Sequence, residues 1–391
     1  MTQQQVAPRT GRSVRGAIGV LFTGWVPRLS WCYLLAVGVT WAALVVASER
    51  FLPATLLAYG PRWIVALPLL LLLPLALLVA RRALVPLGAA VLVILGPIMG
   101  GRLSAHTLAT DLPPAPAAGT IRVITFNSLG GTVAAVRLGE LLALNPDLLT
   151  FQECGRKLQS ALRAVGGMHV AHYQGLCTLS RWPITRLDSL PRYGRSLAEG
   201  YKQRGSGLAL RHVIASPHGP LVLVTLHLET ARRGLLPFMQ NGGVLPDDLG
   251  DLRRTTAAVA RPDSSAVEGL AHNTQRRERD SDRVAGLALR GSDTVPVIVT
   301  GDFNLPVEST IYDRFWGGFT NAFEASGTGF GWTKREGALQ IRIDHVLTNA
   351  AGPVPVGTWL GPSLGSDHLP VIADLRWRTP QAAGAGAGAE R

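Results

Sequence analysis

Polar side chains of three chemical kinds stand at the ends of apolar runs along the later part of this 391-residue sequence. Asn127 closes the run 121–126, and Gln152 and Glu153 close Leu148-Leu-Thr-Phe151. His227 falls within Val224-Thr-Leu-His-Leu-Glu229. Asp302 and Asn304 follow Val297-Ile-Val-Thr-Gly301, and Asp344 and His345 follow Arg342-Ile343. Ser366, Asp367 and His368 precede Leu369-Pro-Val-Ile372. Taken singly, each residue has an ordinary reading. A glutamate at a strand end is usually solvated, an asparagine usually forms a turn, and a histidine is usually a satisfied polar contact. Together, six strand ends offer carboxylate, carboxamide and imidazole groups. If they meet at one edge of a sheet sandwich, they can grip a hard divalent cation against a phosphate and move a proton beside it.

The order of these segments resembles the endonuclease/exonuclease/phosphatase family. The matching pieces are Thr125-Phe-Asn127, Asp147-Leu-Leu-Thr-Phe-Gln-Glu153, Leu179-Ser-Arg-Trp-Pro-Ile184, Thr225-Leu-His-Leu-Glu229, Gly301-Asp-Phe-Asn304, Ile343-Asp-His-Val346 and Ser366-Asp-His-Leu-Pro370. The resemblance runs from about residue 121 to 377. Gly-Asp-Phe-Asn followed by Ser-Asp-His-Leu-Pro is its most specific part. The fold it implies is a four-layered α/β sandwich of the DNase type. The activity it implies is hydrolysis of phosphate esters, nucleic acid and phospholipid head groups being the substrate classes.

Roles follow from the resemblance and from the chemistry of the groups. Glu153 is the first candidate ligand for Mg²⁺ or Mn²⁺, with Asn127 and Asp367 implied beside it. The metal would polarise the phosphoryl oxygen and steady the leaving group. His368 and Asp344 resemble the family's imidazole–carboxylate pair, in which the carboxylate fixes the tautomer and stabilises the charged ring. Two assignments stay open: His368 is the base, or it binds phosphate while Asp302 orients water. Asn304 would donate to a non-bridging oxygen, and His227 would bind phosphate or act as general acid. His345 is expected on the opposite strand face from Asp344. Glu229 shares the face of His227 and ranks second. Tyr201 and Arg204 lie in a Gly-flanked loop that could touch substrate.

The elements that must position these groups read as short strands between turns and helices. Strands are expected at 121–127, Leu148–Gln152, Leu176–Ser180, 207–213, 221–228, 295–301, 341–348 and 371–377, with 207–213 and 221–228 forming a hairpin. Helices are expected at 133–144, 158–165 and 274–290. Many strands with interspersed helices indicate a layered α/β sandwich. The stretch 230–277 is rich in Gly, Arg, Asp and Pro and reads as a long insertion or substrate loop.

The first hundred residues have a different character. Hydrophobic residues make up 47% of the chain, and the mean hydropathy is +0.22. Much of this excess lies in apolar runs at 31–47, 63–80 and 83–99, each long enough to span a bilayer. Pro68 and Pro74 would damage a soluble helix but are tolerated among membrane helices. Three runs in series exclude a cleaved signal peptide. The resulting division is a basic disordered tail at 1–28, three transmembrane helices at 29–100, a Pro/Ala linker at 101–120, the catalytic domain at 121–378 and a disordered tail at 379–391.

Charge sets orientation and narrows the partners. Arg9, Arg12, Arg15 and Arg28 precede the first run, and Arg81-Arg82 turn between the second and third. These sites are expected in the cytoplasm, which puts everything after Gly100 outside. The formal charge is +12. Residues 1–100 carry eight basic and one acidic residue, so most of that excess belongs to the membrane region. The remainder favours anionic substrates weakly. Arg232, Arg233, Arg253 and Arg254 offer a basic rim suited to nucleic acid, whereas Phe238 alone offers an aromatic surface for lipid. An outside location permits a Cys154–Cys177 disulfide, although two buried thiols fit equally well. No protein partner can be inferred.

Overall fold

The structure is a computed structural model that describes residues 14–104, 113–192, 207–238, 263–291, 294–337 and 339–378. The two tails beyond these limits, Tyr201, Arg204, Arg253 and Arg254 lie outside the described residues. The chain divides into two compact units. One comprises Met1–Ala43 and Arg62–Gly100, the other Leu44–Pro61 and Gly101–Arg391.

The first unit is helical: α1 (Val14–Ala47), whose last turn belongs to the second unit, then α3 (Leu69–Val79) and α4 (Leu84–Val93). Three helical stretches are long and apolar enough to cross a membrane: Gly24–Ala47, Arg62–Val79 and Arg81–Ile98. Leu35, Leu70, Leu78, Val85 and Leu92 point outward and are mostly exposed, as suits helices that a lipid phase would cover. Helix α1 starts at Val14, within the stretch expected to be an unstructured tail. Its basic residues suggested a tail, but Ala17, Ile18, Val20, Leu21 and Phe22 continue the apolar run.

The second unit is built on two six-stranded sheets. Strands are β1 (Thr120–Asn127), β2 (Leu148–Gln152), β3 (His169–Tyr173), β4 (Leu176–Ser180), β5 (Ile184–Pro191), β6 (Gly207–Ser216) and β7 (Gly219–His227). They continue as β8 (Val297–Asp302), β9 (Thr320–Asn321), β10 (Lys334–Glu336), β11 (Leu339–Ile341), β12 (Asp344–Thr348), β13 (Val354–Leu360) and β14 (Val371–Arg376). One sheet has the order β13-β14-β1-β2-β4-β3, the other β5-β6-β7-β8-β12-β9. The facing surfaces meet through Val123, Leu148, Leu223, Ile298, Val346 and Ala373. The outer face of the first sheet is covered by α5 (Thr132–Val136), α6 (Leu138–Leu142) and α7 (Arg156–Arg163) through Phe126, Phe151, Leu141 and Leu158. The outer face of the second carries α9 (Ser264–Leu289) and α10 (Thr310–Trp316) through Val224, Val299, Val284 and Trp316. The result is the expected four-layered α/β sandwich.

Several boundaries differ from the sequence reading for physical reasons. The strand expected at 341–348 is two strands, because Arg342 and Ile343 leave the ladder between β11 and β12. The helix expected at 133–144 breaks at Arg137 into α5 and α6. Helix α9 begins at Ser264, ten residues before its expected start, and α8 (Arg232–Leu235) also lies in the supposed insertion. The polar composition of that stretch hid a helix whose buried positions include Ala266, Asn273 and Arg277. The short segment α2 (Leu52–Ala58), between the first two apolar runs, belongs to the sandwich unit.

Candidate active site

Strand alternation and register decide which side chains meet. Inner-facing positions of β1 are 121, 123 and 125, so Asn127 extends that face. In the second sheet Ile298 and Thr300 face inward on β8, and Asp302 follows them by the same period of two. The ladder then places His227 of β7 beside Asp302 and Asp344 of β12 across from it. One inward column of each sheet therefore ends in a polar residue at the same edge of the sandwich.

Two glycines permit this convergence. A Cβ on Gly301 would meet the Leu226 carbonyl oxygen at 2.1 Å, so only glycine lets β7 and β8 approach here. A Cβ on Gly155 would meet the Gly130 oxygen at 2.2 Å, so glycine also lets the turns after β1 and β2 close on each other. Those turns are fixed further by Ser128, whose Oγ donates to the Gln152 carbonyl at 2.9 Å. Glu153 and Asn304 leave their strands with φ of 52° and 51°. This left-handed backbone is costly for residues other than glycine and is concentrated at functional sites.

The assembled cluster is tight. His368 Nδ1 lies 2.8 Å from Asp344 Oδ2, and His368 Nε2 lies 3.9 Å from Asp302 Oδ2. His227 Nε2 stands 3.6 Å from the same oxygen. Asn127 donates its amide to Asp302 Oδ2 at 2.9 Å and to Glu153 Oε1 at 3.4 Å. The Asn304 backbone N–H donates to Asp302 Oδ1 at 2.9 Å, while its side-chain amide donates to the Leu228 carbonyl at 3.0 Å. Ser366 Oγ donates to the Asn127 carbonyl at 2.8 Å and accepts the His368 N–H at 3.1 Å, which ties the last motif to the first strand. These groups line a cleft of about 320 Å³ together with Arg192, Glu229, Thr230, Arg232, Arg233, Lys334 and Asp367.

The electrostatics follow from crowding charges at a buried strand end. Burial, then the Asp344 charge, pushes the Asp302 carboxyl up. Burial alone would lower the His368 imidazole, but Asp344 and Asp302 outweigh it and raise it to about 9. The two shifts describe shared protons. An imidazole between two carboxylates is the best seat for a positive charge, so His368 is assigned as the cation. Asp367 is held below the usual carboxylate range against burial by Lys334 and His368.

Every predicted site residue except Asp344 lines the cleft, and Asp344 stands behind His368. They are not equally placed. Asp302, Asp344 and His368 offer ligand atoms all within 4.8 Å of one another. Asp367 instead pairs with Lys334. Asn304 turns its amide toward the backbone rather than the open cleft. Glu229 is buried and ion-paired with Arg192 at 3.0 Å. His345 falls on the outer face, packs against Phe303 and Tyr312, and contacts the Leu305 carbonyl through Nε2 at 2.8 Å. Sequence reasoning missed Lys334 and Arg192, and it named Arg232 without its rim partner Glu336. The available signal was Lys334 itself, one of three lysines in an arginine-dominated chain.

The donor set suits a hard divalent cation. Glu153, Asp302, Asp367 and the Asn127 carboxamide supply only oxygen ligands, the preference of Mg²⁺ and Mn²⁺ rather than softer metals. The raised Asp302 carboxyl reflects an excess of buried negative charge that a cation would relieve.

The sequence profile of the Endonuclease/Exonuclease/phosphatase family matches residues 124–368. Among solved structures, truncated TDP2 from Caenorhabditis elegans is 15% identical with a TM-score of 0.43, covering 66% of this chain and 97% of its own. The 3′ phosphatase NExo from Neisseria bound to product DNA hairpin is 16% identical with a TM-score of 0.45, covering 66% and 100%. Sphingomyelinase C from Streptomyces griseocarneus is 16% identical with a TM-score of 0.40, covering 66% and 99%. No curated protein matches the chain.

Proposed function

Because the chain belongs to the Endonuclease/Exonuclease/phosphatase family, we propose that it is a membrane-anchored, metal-dependent phosphodiesterase acting by water attack on phosphorus. The observation that carries this reading is the junction of Asn127, Glu153, Asp302, Asp344 and His368 at one strand edge.

Glu153 and Asn127, with Asp367 at the rim, would hold Mg²⁺ or Mn²⁺. A bound divalent ion supplies Lewis-acid polarisation of the phosphoryl oxygen and stabilisation of the leaving oxygen. Asp302, fixed at the end of β8 by the Asn304 backbone N–H and the Asn127 amide, would accept the proton of the attacking water. His368, charged against Asp344, presents Nε2 to a phosphoryl oxygen and stabilises charge that grows in the transition state. His227 faces the same oxygen of Asp302 from the other side and contacts the phosphate or protonates the leaving group.

Two observations support an extracytoplasmic catalytic unit: the basic flanks of the apolar runs and the Cys154–Cys177 disulfide, which persists in oxidising compartments. A reporter fused after Arg391 should be active outside the cytoplasm, and activity confined to the cytoplasm would reverse this topology. The hydrolytic reading is tested with the full chain on bis(p-nitrophenyl) phosphate, single- and double-stranded DNA, RNA, sphingomyelin and inositol phosphates. Each is assayed with Mg²⁺, Mn²⁺ and chelator. Metal-stimulated release from at least one diester is expected, and its absence from all would sink the assignment.

A further inference from the structure

The catalytic cleft opens into a smaller annex of contrasting chemistry. The annex, about 60 Å³, shares Thr230, Arg232, Asn304 and Lys334 with the cleft. Beyond those shared residues its wall is Tyr59, Ala231, Leu235, Leu339, Ile341 and Ile343, with Glu336, paired to Arg232, as the one charged member. Tyr59 joins the two halves of this wall. On one side it packs against Ala231 and Leu235, on the other against Leu339, Ile341 and Ile343.

Tyr59 comes from the segment between the first two apolar runs, far in sequence from the rest of the site. A buried polar clasp holds it. Its hydroxyl donates to Glu49 Oε1 at 2.6 Å, and the Arg277 guanidinium lies 4.7 Å from its ring centroid. Arg277 pairs with Glu49 at 2.8 Å, with both side chains almost wholly buried. Ser309 Oγ also donates to Glu49 at 2.6 Å. Breaking such a pair by removing one partner leaves an uncompensated buried charge, so the clasp fixes the wall in place.

Three features favour one occupant. The annex adjoins the catalytic cleft and shares the Lys334 and Arg232 side chains with it. Its surface is mostly apolar, whereas a nucleotide beside the phosphate would present sugar hydroxyls and further phosphates. Tyr59 also lies, in the sequence, between two runs long and apolar enough to cross a membrane, three positions before Arg62. We propose that the annex is a subsite for the hydrocarbon portion of the substrate, and that the enzyme acts on a lipid phosphoester of the bilayer. This rests on the hydrolase reading above.

The test uses the full chain in detergent with Mg²⁺ or Mn²⁺, hydrolysing bis(p-nitrophenyl) phosphate, and n-alkylphosphonates from methyl to hexyl as competitive inhibitors. A phosphonate carries one alkyl arm on a symmetric head and can turn that arm into the annex. In the wild-type protein Ki should fall roughly fourfold per methylene over the first few carbons and then level as the small cavity fills. Leu339→Gln should flatten that slope while leaving the methylphosphonate Ki unchanged. Leu339→Ala, which enlarges the annex without adding a polar group, should move the levelling point to longer chains. A wild-type Ki independent of chain length would overturn the subsite, as would a slope and levelling point that neither variant alters. A flat alkyl series with efficient metal-dependent cleavage of an oligonucleotide would overturn it in favour of nucleic acid while sparing the hydrolase reading. No metal-stimulated hydrolysis of any diester would overturn both.

Discussion

The seam between the two sheets holds two buried imidazoles in opposite surroundings. In its middle, His212 meets Thr178 Oγ1 at 2.8 Å among Thr150, Thr225 and Thr300. With no charge nearby to offset burial, its pKa falls to about 4. At the end of the same seam, His368 is as deeply buried but stands between Asp302 and Asp344, and its pKa rises to about 9. The inward columns of the strands carry neutral hydroxyls and aliphatics through the sandwich and change to charged groups only at the last residue. Charge is confined to the edge where water, substrate and a cation can reach it, and the seam behind stays neutral and rigid.

That contrast can be broken most severely at its charged end. His368→Ala removes the cation that the two carboxylates hold in place. Metal-dependent turnover of bis(p-nitrophenyl) phosphate should drop on the order of 10²- to 10⁴-fold, and the unfolding temperature should fall as well, because buried Asp344 loses its partner. A loss below threefold would remove His368 from the chemistry. Glu153→Gln acts differently, because it removes a metal-ligand charge and leaves the Asp302–His368–Asp344 group intact. Loss of partners outside the first ligand sphere costs about 10- to 100-fold in metal affinity, so loss of a ligand should cost at least that. The Mg²⁺ concentration for half-maximal rate should rise accordingly and the rate should partly recover at high Mg²⁺. An unchanged metal requirement would place the ion elsewhere.

The neutral middle gives a smaller effect, read in stability. Folded His212 has a lowered pKa and is uncharged, while the unfolded imidazole titrates near 6.5. Its contribution to stability is therefore complete above pH 6.5 and is lost as pH falls from there toward 4. The slope is about 1.4 kcal/mol per pH unit where only the unfolded form is protonated. His212→Gln should reduce the acid sensitivity of thermal unfolding between pH 6.5 and 5. Equal slopes for the two proteins would show that His212 is protonated in the folded state.

The charged end was far more legible in sequence than the neutral middle or the annex. Apolar runs ending in Asn127, Glu153, Asp302 and Asp344 named the strands and the residues together, because a strand's period of two fixes which side chain continues the inward column. The ordering of the sheets was not legible, since pairings such as β1 with β14 join residues some 250 positions apart. Short strands such as β3, β9 and β10 lack a periodic signal. Tyr59 was hidden for a different reason. The sequence assigned it to a loop between membrane helices, and only tertiary contacts with Arg277 and Glu49 bring it to the cleft. The sequence reading sought an apolar rim for lipid in 230–270, whereas the apolar wall proposed for that role comes largely from 339–343 and Tyr59.

Lys334 provides the finest test of how the charged end is divided. Its ammonium pairs with Asp367 and lies 3.5 Å from His368 Nε2. It can serve as a second cation for the substrate phosphate or as a charge that tunes His368. The two roles differ in what they change. A phosphate contact that is equal in ground and transition states affects KM, whereas a shift in the ionisation of His368 affects kcat and its pH profile. Lys334 stands on β10 at the cleft wall, where the annex begins, and is already paired with Asp367. Lys334→Met should therefore raise KM by roughly three- to tenfold while kcat stays within about twofold and its pH dependence is unmoved. A displaced pH profile with unchanged KM would instead make Lys334 a charge that opposes the proton on His368.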